Sequence, residues 1–301
     1  MAIAPSYSRP PVAARHIRGH EVHLFGMGAA HHDERTIGAF GEEWEKFNRF
    51  DPAEIEHVGN EYFDIVPEAI LDPGVVAMDL GCGSGRWTRY LAGRVGHVDA
   101  VDPSEAVFHA AATHADLTNV RWNQAGVGDI PFADGTFDLI ICLGVLHHVP
   151  DTAGALARLV PKLKPGGHLL LYLYYALDGR GALYRTLFAM SSVFRRVISA
   201  LPGWLKRIVC DVIAFTVYVP ARALASMVRA LGVKGWQRLP LSYYHDKSLL
   251  VLRNDALDRF GTPLEQRFTK AEIHQMMQDA GLVDVVFSPS APFWHALGRR
   301  G

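Results

Sequence analysis

Apolar and polar positions follow two different rhythms along this chain. In the first, short apolar runs of strand length alternate with helical periods. Val75-Val-Ala-Met78 is such a run; it stops at Asp79, and Trp87, Tyr90 and Leu91 then recur at helical spacing. The same rhythm predicts strands over 75–80, 97–102, 119–123, 137–143 and 168–174, with helices near 85–94, 105–114 and 153–163. Pro165-Gly166-Gly167 reads as a tight turn feeding the fifth strand. Thr269-Lys-Ala-Glu272 reads as a capping box that opens a helix to Ala280, which Gly281 ends. Two last strands follow near 283–287 and 293–297. Strands and helices in this alternation predict an α/β fold with a doubly wound, mostly parallel sheet of seven strands.

The second rhythm fills 176–260. Leu183, Leu187, Met190, Val193, Phe194 and Val197 recur at helical spacing, and Pro202 and Pro220 divide the stretch into two or three helices. Its longest uninterrupted apolar piece, about Ile208 to Pro220, contains Asp211 and is too short to span a bilayer. Between Gly181 and Lys234 there are eight Lys or Arg residues and one acid, Asp211. A basic amphipathic insert has three readings here: contact with an anionic membrane surface over 181–234, a lid over a substrate pocket, or a homodimer interface. The chain thus divides into an irregular N-terminal arm and helical cap (1–70), a core (71–175), the helical insert (176–260) and a C-terminal helix and strands that complete the core sheet (261–301).

The chemistry centres on the glycines after the first core strand. Gly81-x-Gly83-x-Gly85 between strand and helix makes a nucleotide-binding corner, with backbone N–H groups gathered at a helix N-terminus. The carboxylate of Asp79 would repel a pyrophosphate but suits a ligand bearing an ammonium or sulfonium. That points away from NAD and toward S-adenosylmethionine. Asp102, about 21 positions after Gly81, closes the second strand at the spacing where an acid reaches ribose hydroxyls.

Asp79-Leu-Gly-Cys-Gly-Ser-Gly85, Val101-Asp-Pro-Ser104, Ile130-Pro-Phe-Ala-Asp-Gly-Thr-Phe-Asp138, Leu146-His-His-Val-Pro-Asp151 and Leu163-Lys-Pro-Gly-Gly167 together resemble the class I S-adenosylmethionine-dependent methyltransferases. The resemblance covers roughly 75–175 closely and 260–298 more loosely. It implies that Asp79, Gly81, Cys82, Gly83, Ser84, Gly85, Arg86 and Trp87 hold the amino-acid part of the cofactor, and Asp102 with Pro103 the ribose. Gly126 and Val127 stand where such enzymes place an acid toward the adenine, so backbone groups or Asp129 take that role. Leu143 and Tyr174 complete the expected cofactor set. Trp44 joins it through Phe40-Gly41-Glu42-Glu43-Trp44, which resembles the aromatic cap that some of these enzymes place over the cofactor.

Methyl transfer from a sulfonium is an in-line displacement, so catalysis is mainly positioning, with a base needed only where the nucleophile carries a proton. His147 and His148 follow the fourth strand, at the carboxyl edge of the sheet where the ligand sits. Tyr172, Tyr174 and Tyr175 close the fifth strand, and period-two alternation puts Tyr175 on the opposite face from the other two. Tyr243, after the Pro240 break, is a further candidate from the insert. The catalytic expectation is therefore His147, His148, Tyr175 and Tyr243. His31-His32-Asp33-Glu34 are adjacent residues that do not aim at one ion, and no metal is expected.

Composition narrows the classes. The 301 residues carry a formal net charge of −1 and are 49% hydrophobic, which predicts a soluble globular protein without a nucleic-acid partner. Cys82, Cys142 and Cys210 are too widely spaced for a zinc set or a disulfide framework. The first thirty residues hold no long apolar run, so a cytoplasmic location is expected. Three functions remain: methyl transfer to a small apolar or secondary-metabolite acceptor; attack on the cofactor's side-chain carbon, as in a cyclase or aminocarboxypropyl transferase releasing methylthioadenosine; and a non-catalytic cofactor-binding protein that works through its insert.

Overall fold

The computed structural model describes residues 2–26, 51–176 and 182–301. Trp44 and the His31-His32-Asp33-Glu34 run lie outside them. The chain divides into two compact units, 1–178 with 266–301, and 179–265. The sequence reading placed the corresponding breaks at 176 and 260.

The first unit is built on strands β1 (Ala13–Ile17), β2 (His20–Leu24), β3 (Val76–Leu80), β4 (His97–Asp102), β5 (Val120–Gln124), β6 (Phe137–Leu143), β7 (Leu163–Tyr172), β8 (Leu282–Phe287) and β9 (His295–Arg300). They form one nine-stranded sheet in the order β1-β2-β5-β4-β3-β6-β7-β9-β8. The pairs β2/β5, β5/β4, β4/β3, β3/β6 and β6/β7 are parallel, and β1/β2, β7/β9 and β9/β8 antiparallel. Helices α1 (Pro52–Tyr62), α2 (Arg86–Ala92) and α3 (Ala106–Thr113) share one core with one face of the sheet, in which Ala77, Leu91 and Trp122 are buried. Helix α4 (Thr152–Leu159), and a later helix over Lys270–Asp279, share the other with Met78, Ile140 and Leu171. Ala77 and Met78 fall on opposite faces, as period-two alternation requires, and both faces are covered in the doubly wound manner.

Two features of this unit correct the sequence reading. Seven strands become nine because the arm, expected to be irregular, forms the β1–β2 hairpin. Arg18 and Gly19 take positive φ (47° and 93°), the backbone of a two-residue primed turn. Only Val22 and the flanking Phe25 are fully buried there, too faint a pattern to read. The arm continues onto the sheet through a bridge of Tyr7 with Phe132, and Tyr7 Oη donates to Asn123 Oδ1 at 2.6 Å. Secondly, Pro165-Gly166-Gly167 lies inside β7 instead of forming a turn before it. The register moves from Phe137↔Leu163 to Leu139↔His168, and Gly166 (φ 78°) supplies the left-handed residue of that irregularity.

The second unit is helical: α5 (Ala182–Ser199), α6 (Gly203–Ile213), α7 (Val219–Ala230) and α8 (Leu249–Gly261). The helix over Lys270–Asp279, in the first unit, is therefore α9; its capping box is formed, with Thr269 Oγ1 accepting from Glu272 N. Pro220 does not divide the insert. A π-helical stretch, Ala214–Tyr218, joins α6 to α7, so Gly203–Ala230 runs on as 28 helical residues. The wider turn leaves room for the proline ring and its missing N–H, which an α-helical register would not. Asp211 on α6 accepts from Nε and Nη2 of Arg253 on α8, at 2.7 and 2.8 Å.

Candidate functional site

The strand order reverses between β3 and β6, and a ligand crevice forms where the carboxyl ends of strands meet such a reversal. Two turns arise there. The first is the glycine turn after β3. Gly81 N and Cys82 N donate to Val101 O at 2.7 and 3.1 Å, tying the turn to β4. Gly81, Gly83 and Gly85 all take left-handed backbone (φ 77°, 51° and 80°). A Cβ on Gly81 would run into the Val145 side chain, and one on Gly85 would lie 2.7 Å from His114 Cδ2. These glycines are required by conformation and by space.

Asp79 lies buried beneath the turn, its Oδ2 accepting from Thr88 Oγ1 on α2 at 2.6 Å. Burial, and to a lesser degree the neighbouring Asp102, push its pKa up to about 7. Asp102 is also buried, which raises its pKa, and it braces the turn. Its Oδ2 accepts from Gly83 N at 2.9 Å, and Oδ1 from Ser104 N at 2.8 Å and Ser104 Oγ at 2.6 Å. A carboxylate offers about four acceptor positions, so roughly one is left for a ribose hydroxyl.

Around this floor, Arg86 lies over the Trp87 ring at 4.5 Å. Pro103 O accepts from Gln124 Nε2 at 3.4 Å. A Cβ on Gly126 would meet nothing within 4 Å, so the backbone before the Val127–Asp129 turn is open to a flat ligand. Asp129 Oδ1 is 4.0 Å from Arg9 Nη2, which turns its carboxylate to the arm. Ser84 Oγ is buried with no hydrogen-bond partner. An ammonium brought beside Asp79 would restore its charged form, and a polar ligand atom would satisfy Ser84. The residues present fit S-adenosylmethionine.

The second turn follows β6. Leu143 pairs with Tyr172, Gly144 (φ 81°) reverses the chain, and Leu146–His148 make one turn of 3₁₀-helix. Gln266 pins this turn from the C-terminal segment, its N–H donating to His147 O at 2.9 Å and its Nε2 to Val149 O at 2.6 Å. The His147 ring stacks on Tyr174 (centroids 3.8 Å apart) and touches His148 (4.1 Å). It is fully buried, and neither ring nitrogen has a hydrogen-bond partner. Burial first, then His148 and Arg267, lower its pKa well below the usual histidine value, so the ring is neutral at pH 7.

Tyr174 and Tyr172 face this cluster, while Tyr175 turns to Phe293 and Trp294 and bridges to Phe268. Tyr175 is thus separated from the histidines it was grouped with, for the reason alternation gives. Tyr243 belongs to the second unit, where its ring meets Lys247 Nζ at 4.9 Å and Tyr244. Three residues joining the cluster were not foreseen. Tyr62 of α1 contacts Trp87 (4.9 Å) and Tyr172 (5.2 Å), Arg267 lies 5.0 Å over Tyr174, and Thr88 holds Asp79. Thr88 could have been found from α2 periodicity; nothing in the local pattern marks Arg267.

This sheet and its acid-bearing glycine turn define a class I methyltransferase domain that uses S-adenosylmethionine. Residues 78–171 match the family model described as a methyltransferase domain. A ubiquinone biosynthesis O-methyltransferase of Marinobacter nauticus is 31% identical over 133 residues, covering 42% of this chain and 55% of that protein. A tRNA U34 carboxymethyltransferase of Campylobacter curvus is 32% identical over 178 residues, 55% of this chain and 53% of that protein. The chain therefore spans about half the length of these relatives. Human N-acetylserotonin methyltransferase, solved in complex with S-adenosylmethionine, shares the fold at a TM-score of 0.51 and 18% identity, over 87% of this chain and 56% of that one.

Proposed function

We propose that the protein transfers the methyl group of S-adenosylmethionine to an oxygen of a small, largely apolar acceptor, with His147 taking the acceptor's proton. The observation that carries this is His147 itself, a neutral buried imidazole with two unpartnered nitrogens at the crevice where β6 and β7 end. A hydroxyl that entered there would meet a proton acceptor already in its basic form. When bound, S-adenosylmethionine supplies an electrophilic methyl group on a sulfonium. Asp79 would hold the ammonium of that cofactor, Asp102 a ribose hydroxyl, and the backbone at Gly126 and Val127 the adenine. Tyr172 and Tyr174, whose rings meet edge to face 5.8 Å apart, would offer a bound sulfonium aromatic faces.

The aromatic lining supports an apolar acceptor, and the similarity to a ubiquinone O-methyltransferase points the same way. The test is mass spectrometry of the purified chain with S-adenosylmethionine, first alone and then with a series of phenols carrying progressively longer alkyl chains. Methylated phenol, rising with chain length, is the expected result. Methylthioadenosine from the cofactor alone would replace methyl transfer by attack at the side-chain carbon. Transfer to tRNA but to no phenol would replace the acceptor class.

A further inference from the structure

We infer that the 179–265 unit docks on an anionic lipid surface through an apolar stripe along α5, α6 and α7. The stripe is a property of side-chain placement. Trp204, Ile208, Val212 and Phe215 follow one another at intervals of four, four and three residues, one face of a helix, and each is more than half exposed. Past the π-helical stretch, Leu224, Met227 and Leu231 continue the exposed apolar positions. On α5, Val193, Phe194 and Val197 do the same. What the long helix buries instead is small: Cys210, Ala214 and Ala225, with Tyr218 the exception. A helix of a water-soluble unit turns its large apolar residues inward, and this one turns many of them outward.

Charge selects the occupant. From Gly181 to Lys234 eight basic residues face one acid, and that acid, Asp211, is held by Arg253 within the unit. Exposed Arg196 sits between Phe194 and Val197, and exposed Arg229 between Met227 and Leu231, with exposed Lys234 close behind. A second copy of the same surface would oppose like charges, whereas an anionic leaflet supplies the missing counter-charge. By length and composition Gly203–Ala230 could cross a bilayer, at 28 residues or about 42 Å. Its inner side, however, packs on α8, with the Asp211–Arg253 pair at the contact and Asp255 further along. Crossing would take those groups into hydrocarbon. Lying in the interface plane puts only the apolar outer face into lipid and leaves the Asp211–Arg253 pair inside the unit.

The inference stands apart from the methyl-transfer reading, since lipid binding and turnover can each fail alone. The test is flotation of the full chain with vesicles of phosphatidylcholine, with and without phosphatidylglycerol. We expect binding at least about tenfold tighter to the anionic vesicles, weakening as salt rises. Ile208→Asp with Phe215→Asp should lower that binding about tenfold or more, with unchanged S-adenosylmethionine binding and far-ultraviolet circular dichroism. Arg196→Gln, Arg229→Gln and Lys234→Gln together should remove the preference for anionic lipid, and this variant carries the test if the first does not fold. No binding to either vesicle would overturn the proposal. So would equal binding to both, or a dimer in sedimentation that Phe215→Asp turns to monomer without any vesicle binding.

Discussion

In the unit that carries the sheet, Leu139, Ile140 and Leu171 are wholly buried, and its exposed large hydrophobics are scattered ones such as Ile3, Val12 and Val283. In the 179–265 unit, Trp204, Phe215 and Met227 stand in water while Cys210 and Ala214 point inward. The two sequences answer different demands. A doubly wound sheet must fill two cores, so its apolar positions are set by packing and can be read as strand and helix. The insert buries Ile198, Tyr218, Leu252 and Phe260, yet leaves the large side chains along the 203–230 helix, such as Trp204 and Phe215, for something other than its own core.

The sharpest way to break this comparison is to truncate one apolar residue in each unit. Ile140→Ala should destabilise the sheet by about 2–5 kcal/mol, since it leaves a cavity among fully buried neighbours. Phe215→Ser should change stability by less than about 0.5 kcal/mol. Urea unfolding monitored by circular dichroism measures both. A loss of more than about 2 kcal/mol at Phe215 would mean that the stripe is covered, and the contrast between the units would vanish.

A second prediction concerns chemistry confined to the sheet unit. His147→Gln, which keeps polarity and most of the volume, should lower kcat on the order of a hundredfold while leaving cofactor affinity within about twofold. Because the His147 pKa is held well below the usual value, the wild-type acid limb should fall below about pH 6.5. The sign for stability is the same. The unfolded chain gains a proton on this histidine near pH 6.5 and the folded chain does not, so stability drops as pH falls through that value. His147→Gln should flatten that slope in a pH series of thermal melts.

Asp102→Ala comes next. It should weaken S-adenosylmethionine binding at least about tenfold, or 1.4 kcal/mol, by isothermal calorimetry. The structure gives that number two sources, the lost ribose contact and the freed Gly83 N–H, and Ser104→Ala separates them. Ser104→Ala removes one donor to Asp102 and leaves the turn braced, so it should cost less than about threefold. Unchanged affinity in Asp102→Ala would remove that residue from the site.

How far the sequence could be read follows the same division. Asp79, the three glycines and Asp102 were legible because each is bound to a backbone demand: a strand end, a left-handed turn, a second strand end. His147 was legible as a position, since it follows a strand at the carboxyl edge, but its stacking on Tyr174 comes from tertiary packing that no local pattern encodes. Tyr62 and Arg267 were invisible for that reason, arriving from α1 and from the segment before α9. The β1–β2 hairpin was missed because one buried valine makes too weak an alternation. Pro220 misled, since the proline rule assumes α-helical register and the chain uses a π-helical stretch to accommodate it.

The smallest expected effect compares an acid from each unit, buried Asp79 and half-buried Asp211. Asp211 in the insert has its guanidinium partner, Arg253, in the same unit, and nothing further is asked of it. Asp79 has a hydroxyl, Thr88, and a pKa pushed up to about 7 by burial. In the ligand-free protein the folded state therefore holds a proton on Asp79 that the unfolded chain has lost, between the usual carboxylate value and about pH 7, and stability falls as pH rises through that window. A cofactor ammonium pairs only with the ionised form. S-adenosylmethionine should thus bind about fivefold more weakly at pH 6 than at pH 7, and weaken again above about pH 8 as its own ammonium loses its proton, by calorimetry in two buffers of different ionisation heat. Binding below pH 7 should release a proton from Asp79, and Asp79→Asn should abolish both that release and the pH dependence below pH 7. A pH-independent wild-type Kd would show that the ammonium is held elsewhere, and Asp79 would then be as purely structural as Asp211.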